Sequence, residues 1–447
     1  MHTVDLVGEY VVFDGINTKR IADGNRWCRD RFQASTEYLS NWLSSCRSLQ
    51  LSYRYAIYDS YGYPRATVEF FYIVAHMSTL FIGTFLASLA DRFGRRLSCI
   101  FCGILYILSG VSYNFNVISI LIMGNIIRGV ANSFFHTEFE AWVIQEYKNR
   151  NLNLQSLPQL LRNSNIFGTI ISIGMGFFAQ VLVEFFGFIA PFDTSIVIFT
   201  LMIVYMLFEW SENYGNPTVS ANVSFISAIQ LIKFDSRIVL HGLSTALFET
   251  SLYIYFIEWT PALLKAKSLT ISDPLPFGVI FACYKFSNMM GSFAFEAIVK
   301  KIRPQLLIII IAIILITGFS SAVIWSNVQV VILIGFLFVE FGSGAYRPSI
   351  GLLRSQYIPN EVRSTIMNYI RVPQLILIIF ILLCHFPLPI LFSIAAGMIL
   401  LAIICLIILK DMKPPSKKMD GNQEIVLLTS LPFLSYVHEK PQISQKE

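Results

Sequence analysis

In this 447-residue chain the side chains able to do chemistry recur every three or four positions inside apolar runs. Arg128, Asn132, His136 and Glu140 fall on one face of a helix, and His241, Thr245, Glu249 and Tyr253 on one face of another. Lys285, Asn288, Ser292 and Glu296 make a looser third stripe, Glu340, Gly344, Arg347 and Gly351 a fourth, and Asn368, Arg371 and Gln374 a short fifth beside Pro373. Counting along each run puts Arg128, Glu249, Lys285 and Glu340 near the middle, and Glu140, Glu296 and Arg354 close to one end. A charge at bilayer depth costs roughly 2.5–3.5 kcal/mol on insertion scales, so these groups either pair with one another or face a shared aqueous cavity. No nucleophile stands beside a base and no histidine-rich metal constellation occurs in the runs, so the pattern points to neither an enzyme nor a bound metal or cofactor.

The elements that must position these residues are long apolar helices. Hydrophobic residues make up 55% of the chain, charged residues only 14%, and the mean hydropathy is +0.61, well outside soluble norms. A bilayer core needs about 20 apolar residues per helix. Eleven spans are predicted: Phe70 to Ala90, Ser98 to Phe115, Val117 to Ile144, Ile166 to Phe186, Thr194 to Phe208, Ile238 to Trp259, Leu275 to Val299, Leu306 to Trp325, Val328 to Leu353, Ile366 to His385 and Leu388 to Leu409. The loops between them alternate in charge. One side collects Arg92, Arg95, Arg96, Lys148, Arg150, Arg162, Lys233, Arg237, Lys300, Lys301, Arg303, Arg354, Arg363 and the lysines of the tail, the other only Lys265 and Lys267. Basic loops stay cytosolic, so the net charge of +5 reports topology and a nucleic-acid partner is unnecessary.

The fold class expected is therefore all-α and polytopic. A polar stretch at 211–237 separates a bundle at 65–210 from one at 238–409, with a cytosolic tail at 410–447. Within the linker, Phe225 to Phe234 is amphipathic and suited to the membrane surface. Residues 1–64 are anomalous: they carry Arg26, Arg29, Arg31, Arg47 and Arg54, and show neither a signal-peptide core nor a span. Five runs then precede the linker and six follow it, as though a first helix were missing from a six-plus-six layout. Cys99 and Cys102, one turn apart in an apolar helix, are read as small packing residues. The acceptor sequence at Asn222 lies in the linker, where it would be silent.

Several segments carry a family resemblance. Ala87-Ser88-Leu89-Ala90-Asp91-Arg92-Phe93-Gly94-Arg95-Arg96 resembles the cytosolic loop signature of the major facilitator superfamily, with Ala87 where Gly is usual. Phe139-Glu140-Ala141-Trp142, Glu212-Asn213-Tyr214, Ala246-Leu247-Phe248-Glu249, Trp259-Thr260-Pro261, Gly344-Ala345-Tyr346-Arg347-Pro348-Ser349 and Asn368-Tyr369-Ile370-Arg371-Val372-Pro373 look like the molybdate-anion transporter family within it. The chain departs from the family in two places: only Tyr53 to Tyr58 resembles the first gated helix, and the usual Gly-Arg pair of the fourth reads Gly124-Asn125, with Arg128 one turn later.

The resemblance implies two six-helix bundles rocking about a midplane site, a small inorganic oxyanion such as molybdate as substrate, a monomer, and residence in the plasma membrane. It carries the gating role to Asp91, Arg92, Gly94 and Arg95. An oxyanion calls for guanidinium, ammonium and neutral donors with little free negative charge nearby. Arg128, Lys285 and Arg371 are accordingly the expected anion ligands, with Tyr253, Asn368 and Tyr369 as neutral donors. Glu249, Glu340 and Glu140 are left for proton coupling or charge pairing. Alternatives are a sugar or other neutral solute, with Trp259, Tyr253 and asparagines as ligands, and a membrane scaffold that transports nothing.

Overall fold

The computed structural model describes residues 42, 44–83, 94–150, 157–214, 232, 235–266, 275–299, 301–358 and 363–412. Twelve long helices are found among them. α1 covers 44–60; α2 is Arg65–Ser78, prolonged by a π-helical turn at Thr79–Gly83; α3 is Arg95–Ser112, α4 Ile118–Asn149, α5 Leu157–Phe186 and α6 Ala190–Glu209. After the linker come α7 (Ser236–Lys265), α8 (Phe277–Ile298), α9 (Pro304–Ile324), α10 (Gln329–Tyr357), α11 (Arg363–Leu383) and α12 (Leu388–Asp411). Among the described residues the eleven predicted spans fall on helices, to within a few residues at their ends, and the class is all-α and polytopic.

The expectation of a missing first helix is corrected by α1. Ser45, Cys46, Leu49, Gln50, Ser52, Tyr53, Ile57 and Tyr58 are all buried. Gln50 Nε2 donates to Ser195 Oγ of α6 at 2.7 Å, Tyr53 Oη to Gln180 Oε1 of α5 at 2.6 Å, and the Tyr58 ring lies 4.9 Å from Phe71 of α2. α1 is thus enclosed by α2, α4, α5 and α6. Its hydroxyls are partly satisfied within the helix, as in Ser52 Oγ to the Leu49 carbonyl at 3.0 Å. Such a helix is invisible to a hydropathy window because it meets protein and hollow rather than lipid. With α1 in place, the chain enters the first bundle from the side of the basic loops, and its arginines no longer violate the charge asymmetry.

Seven described helices are long and apolar enough to cross a membrane by themselves: α3, α4, α5, α6, α9, α10 and α12. The highest mean hydropathies belong to α9 and α12, at 2.9 and 3.0. Those that fall short are α1, α2, α7, α8 and α11, which carry most of the polar stripes. The division follows from packing. Within the first bundle α3 packs on α4 and α6, and α2 on α4; within the second, α9 and α8 pack on α10, and α7 on α11 and α12. Contact between the bundles runs through α5 with α8, α2 with α11, and α2 with α7.

The α5–α8 contact is a backbone approach made possible by two glycines. A Cβ on Gly176 would stand 2.8 Å from the Gly278 carbonyl oxygen, and one on Gly278 would stand 2.8 Å from the Gln180 amide. Gly174, one residue class away on the same helix, has nothing within 4 Å. Pro261, Pro348 and Pro373 all lie inside continuous helices, so none of them ends a span. We expect Gly278→Val to lower the melting temperature of detergent-purified protein, since overpacking typically costs ~1–3 kcal/mol. Gly174→Ala should leave it unchanged; equal melting of both variants would rule out the backbone contact.

Candidate functional site

The polar faces converge between the bundles. On the first-bundle side, Arg128 of α4 is half-buried, its Nη2 donating to Asn125 Oδ1 at 2.6 Å and its guanidinium lying 5.5 Å above the Tyr72 ring. Asn125 is positioned in turn, its Nδ2 donating to Tyr58 Oη and the Leu121 carbonyl, both at 2.8 Å. The asparagine that stands where the family has arginine therefore aims the arginine one turn below. Arg54 of α1 sits in electrostatic reach of the phenols of Tyr113, Tyr72, Tyr58 and Tyr106, and its buried Nε has no hydrogen-bond partner among the described residues. Arg47 lies two turns closer to the cytosol on the same helix, about 10 Å along the axis at 1.5 Å per residue. It is exposed, with its guanidinium 4.4 Å over the Phe135 ring. Among the described residues, none of these three arginines forms an ion pair with a carboxylate.

On the second-bundle side Lys285 of α8 stands 3.4 Å from both oxygens of Glu340 on α10, and Asn288 Nδ2 donates to the same carboxylate at 3.0 Å. Glu340 is buried, so this pair satisfies itself within the bundle. Of the two cations and two carboxylates placed at mid-depth by the sequence, these two meet; Arg128 binds Asn125 rather than Glu249. Glu249 is half-buried in α7, near Tyr346. Arg371 and Tyr369 of α11 are half-buried, and His76 of α2 lies in electrostatic reach of both Arg128 and Arg371. Tyr253 reaches across the divide, its ring edge-on to His76 at 5.5 Å. The helical positions of Glu140 and Asn368 are described but their side chains are not, and Asp91 and Arg92, like Asn222 and most of 225–234, lie outside the described residues.

The second stripe is only half as expected. Glu249 and Tyr253 keep some exposure, but His241 is fully buried and Thr245 nearly so, with Thr245 Oγ1 bonded back to the His241 carbonyl at 2.7 Å. The packing of α7 on α11 encloses that end of the stripe. The candidate residues missed by sequence reasoning are Arg47, Arg54 and His76. The signal for the first two was present: seven residues apart, they share one helical face in a helix with three tyrosines and no acid before Asp59.

Across the outer ends of the bundles runs a charged seal. Arg65 Nη2 stands 2.7 Å from Glu69 on α2, and Arg65 Nε 2.9 Å from Glu258 on α7. His385, after α11, donates through Nδ1 to the other Glu69 oxygen at 2.5 Å. Deeper in, Tyr53 Oη and Gln180 Oε1 both accept from the Gly278 amide at 3.2 Å. These bonds between bundles all lie in the outer half. Toward the cytosol, Arg47 and Arg347, from opposite bundles, are both exposed and lie in electrostatic reach of one another.

The cytosolic signature is held by the first bundle's own end. Gly94 has φ of 109°, and a Cβ there would lie 2.6 Å from the Glu212 carboxylate. Only glycine meets both demands. Glu212 caps α3 by accepting from the Arg96 amide at 2.8 Å and the Leu97 amide at 3.2 Å, while the Arg95 amide donates to the Asn213 carbonyl at 2.9 Å. Asn213 reaches the Trp142 carbonyl at 3.2 Å, and Trp142 stacks on Trp210 at 3.5 Å. Two separate sequence motifs are thereby one assembly. Beyond the linker, Asp235 caps α7; burial raises its carboxyl, but hydrogen bonds from Arg237 outweigh this and hold it below the usual range, so the cap stays ionised throughout the neutral range.

Two six-helix bundles, a polar hollow between them and a basic glycine turn at the cytosolic end define a polytopic membrane transporter of the major facilitator type. Residues 27–337, from ahead of α1 into α10, match a family described as "Sugar-transporters, 12 TM", and the chain belongs to that family. It is similar to the molybdate-anion transporter of Xenopus tropicalis, 27% identical over 337 residues that cover 73% of this chain and 72% of that protein. Its fold is similar to a mutant form of the nucleoside transporter NupG, with a TM-score of 0.70 at 11% identity over 85% of this chain and 99% of that one. It is also similar to the inward-open xylose transporter XylE from E. coli, with a TM-score of 0.64 at 14% identity over 88% and 98% of the two chains.

If the outer seal holds the halves together, Glu69→Gln removes two of its contacts at once. Hydrogen–deuterium exchange should then rise at the outer ends of α2 and α11 while α9 and α12 stay protected; unchanged exchange at α2 and α11 would mean that the seal carries no closing energy.

Proposed function

We propose that this chain carries molybdate, or a dianion of the same shape, across the plasma membrane by alternating access, acting as a monomer. The single observation that carries this reading is the set of guanidinium groups on Arg47, Arg54 and Arg128, which face the hollow and form no ion pair with a carboxylate among the described residues. A tetrahedral dianion meets that need: each guanidinium offers up to five N–H donors, and the hydroxyls of Tyr58, Tyr72 and Tyr113 add neutral ones. Arg371, with Tyr369 and Asn368 on the same helix, would complete the shell from the second bundle. Tyr253, beside His76, is placed to sense both halves. Lys285 and Glu340 balance each other within the second bundle, and Glu340, Glu249 and Glu140 are the acids assigned to proton coupling or charge pairing. The relative's name supports molybdate, and one chain supplies both walls of the hollow.

A sugar is the second reading, favoured by the family's description and by the aromatic wall in which Trp259 lies 5.5 Å from Tyr284. Uptake by proteoliposomes decides. Labelled molybdate should enter, and tungstate or sulfate but not xylose should compete. Arg128→Gln and Arg54→Gln should each cut uptake at least about tenfold, since a hydrogen bond to a charged group contributes ~1.5–3 kcal/mol. Wild-type molybdate uptake by both variants, or competition by xylose alone, would overturn the assignment. Lys285→Gln should by contrast lower the yield of folded protein by leaving Glu340 buried and unpaired, and Lys285→Gln with Glu340→Gln should restore it.

A further inference from the structure

We propose that Arg65, Glu69, Glu258 and His385 form a proton-binding site, and that the outer ends of the two bundles close over it only when it holds one proton. The site stands apart from the anion ligands, and the inference holds whichever solute the hollow carries.

Arg65 and Glu69 belong to α2 of the first bundle, whereas Glu258 lies on α7 and His385 follows α11 in the second. One guanidinium serves both carboxylates: Arg65 Nη2 stands 2.7 Å from Glu69 Oε1, and Arg65 Nε 2.9 Å from Glu258 Oε2. His385 Nδ1 stands 2.5 Å from Glu69 Oε2. The carboxylate side chains are only 3% and 1% exposed, but the imidazole is 47% exposed, which gives the cluster a door to the outer medium. His385 adopts φ of 47°, a left-handed conformation that residues with a β-carbon rarely take, and meets Glu69 from that turn. Within the cluster one atom is left over. Glu258 Oε1 is buried and has no hydrogen-bond partner among the described residues.

One guanidinium against two carboxylates leaves a surplus negative charge whenever the imidazole is neutral. Tyr55 of α1 lies in electrostatic reach of Arg65, Glu258, Asp59 and Tyr72. The two phenols stay neutral at physiological pH, and Asp59, which is exposed, adds to the surplus rather than cancelling it. A carboxylate withdrawn from water without a full counter-charge is strongly disfavoured. A single proton removes the surplus. Because Glu69 can only accept, Nδ1 of the neutral imidazole carries the hydrogen, and a proton from outside joins Nε2 to make a second cation; on Glu258 Oε1 it would erase one anion instead. Once the outer ends part, water solvates both carboxylates and the surplus no longer matters. The closed form therefore binds one proton more than the open form, so acid outside favours closure and alkali favours opening.

The test uses the full chain in nanodiscs, with Cys28, Cys283 and Cys384 changed to serine and spin labels on Ser60→Cys and Lys265→Cys. Both labelled positions are exposed, at the outer ends of α1 and α7 in opposite bundles. Double electron–electron resonance reads the ratio of closed to open distances. That ratio should fall several-fold as pH rises across the imidazole range, about pH 5–8. Glu258→Gln leaves Arg65 matched to Glu69 with no proton, and His385→Lys supplies a permanent second cation; each should hold the closed distance over the whole range. A purely structural Glu258 predicts the reverse, since losing its ion pair would loosen the seal at every pH. His385→Lys changes an exposed side chain, so it decides the matter should Glu258→Gln not fold. A parent chain whose closed fraction ignores pH overturns the proton site. So does a His385→Lys chain that still opens with rising pH, or a folded Glu258→Gln chain that stands open throughout.

Discussion

Positive charge that has no acid beside it, held at bilayer depth, is the constraint around which this molecule is arranged. A lone guanidinium cannot be left in hydrocarbon, and in the first bundle Arg54 and Arg128 are not neutralised by carboxylates among the described residues. They are instead surrounded by tyrosines and one asparagine, groups that orient a cation without cancelling it. The second bundle solves the same problem differently, matching Lys285 to Glu340 and filling the last acceptor positions with Asn288. The asymmetry leaves one wall of the hollow electropositive and the other closer to balanced, which is the arrangement an anion can enter and leave.

The ends of the bundles follow from the middle. The halves are joined by a glycine-on-glycine approach of α5 on α8, by packing of α2 on α11 and α7, by apolar contacts such as Tyr53 with Phe277, and by ionic groups at the outer surface. At the cytosolic end the Glu212 cap and the Trp142–Trp210 stack tie the first bundle's own helices together.

Much of this was legible in the residue order. The apolar runs located the helices, and Gly94 announced a turn that the structure finds at φ of 109°. The pairing of Lys285 with Glu340 was one of two readings open at that stage. What failed was α1. Its Arg47 and Arg54 disguised it as a polar leader, and the same two residues are among the best-placed cations in the molecule. The burial of His241 was likewise beyond reach, because a helical face shows what shares a side and not what covers it.

By itself, then, the amino-acid order determined which segments form long apolar helices and that several bear polar faces, since those properties depend on composition and period alone. Tertiary structure decided which polar faces meet, that α1 belongs with them, and which cations are left without an acid. The physical reason is that hydropathy averages around a helix, whereas the cost of a buried charge depends on the few atoms within hydrogen-bonding distance of it, and those come from other parts of the chain.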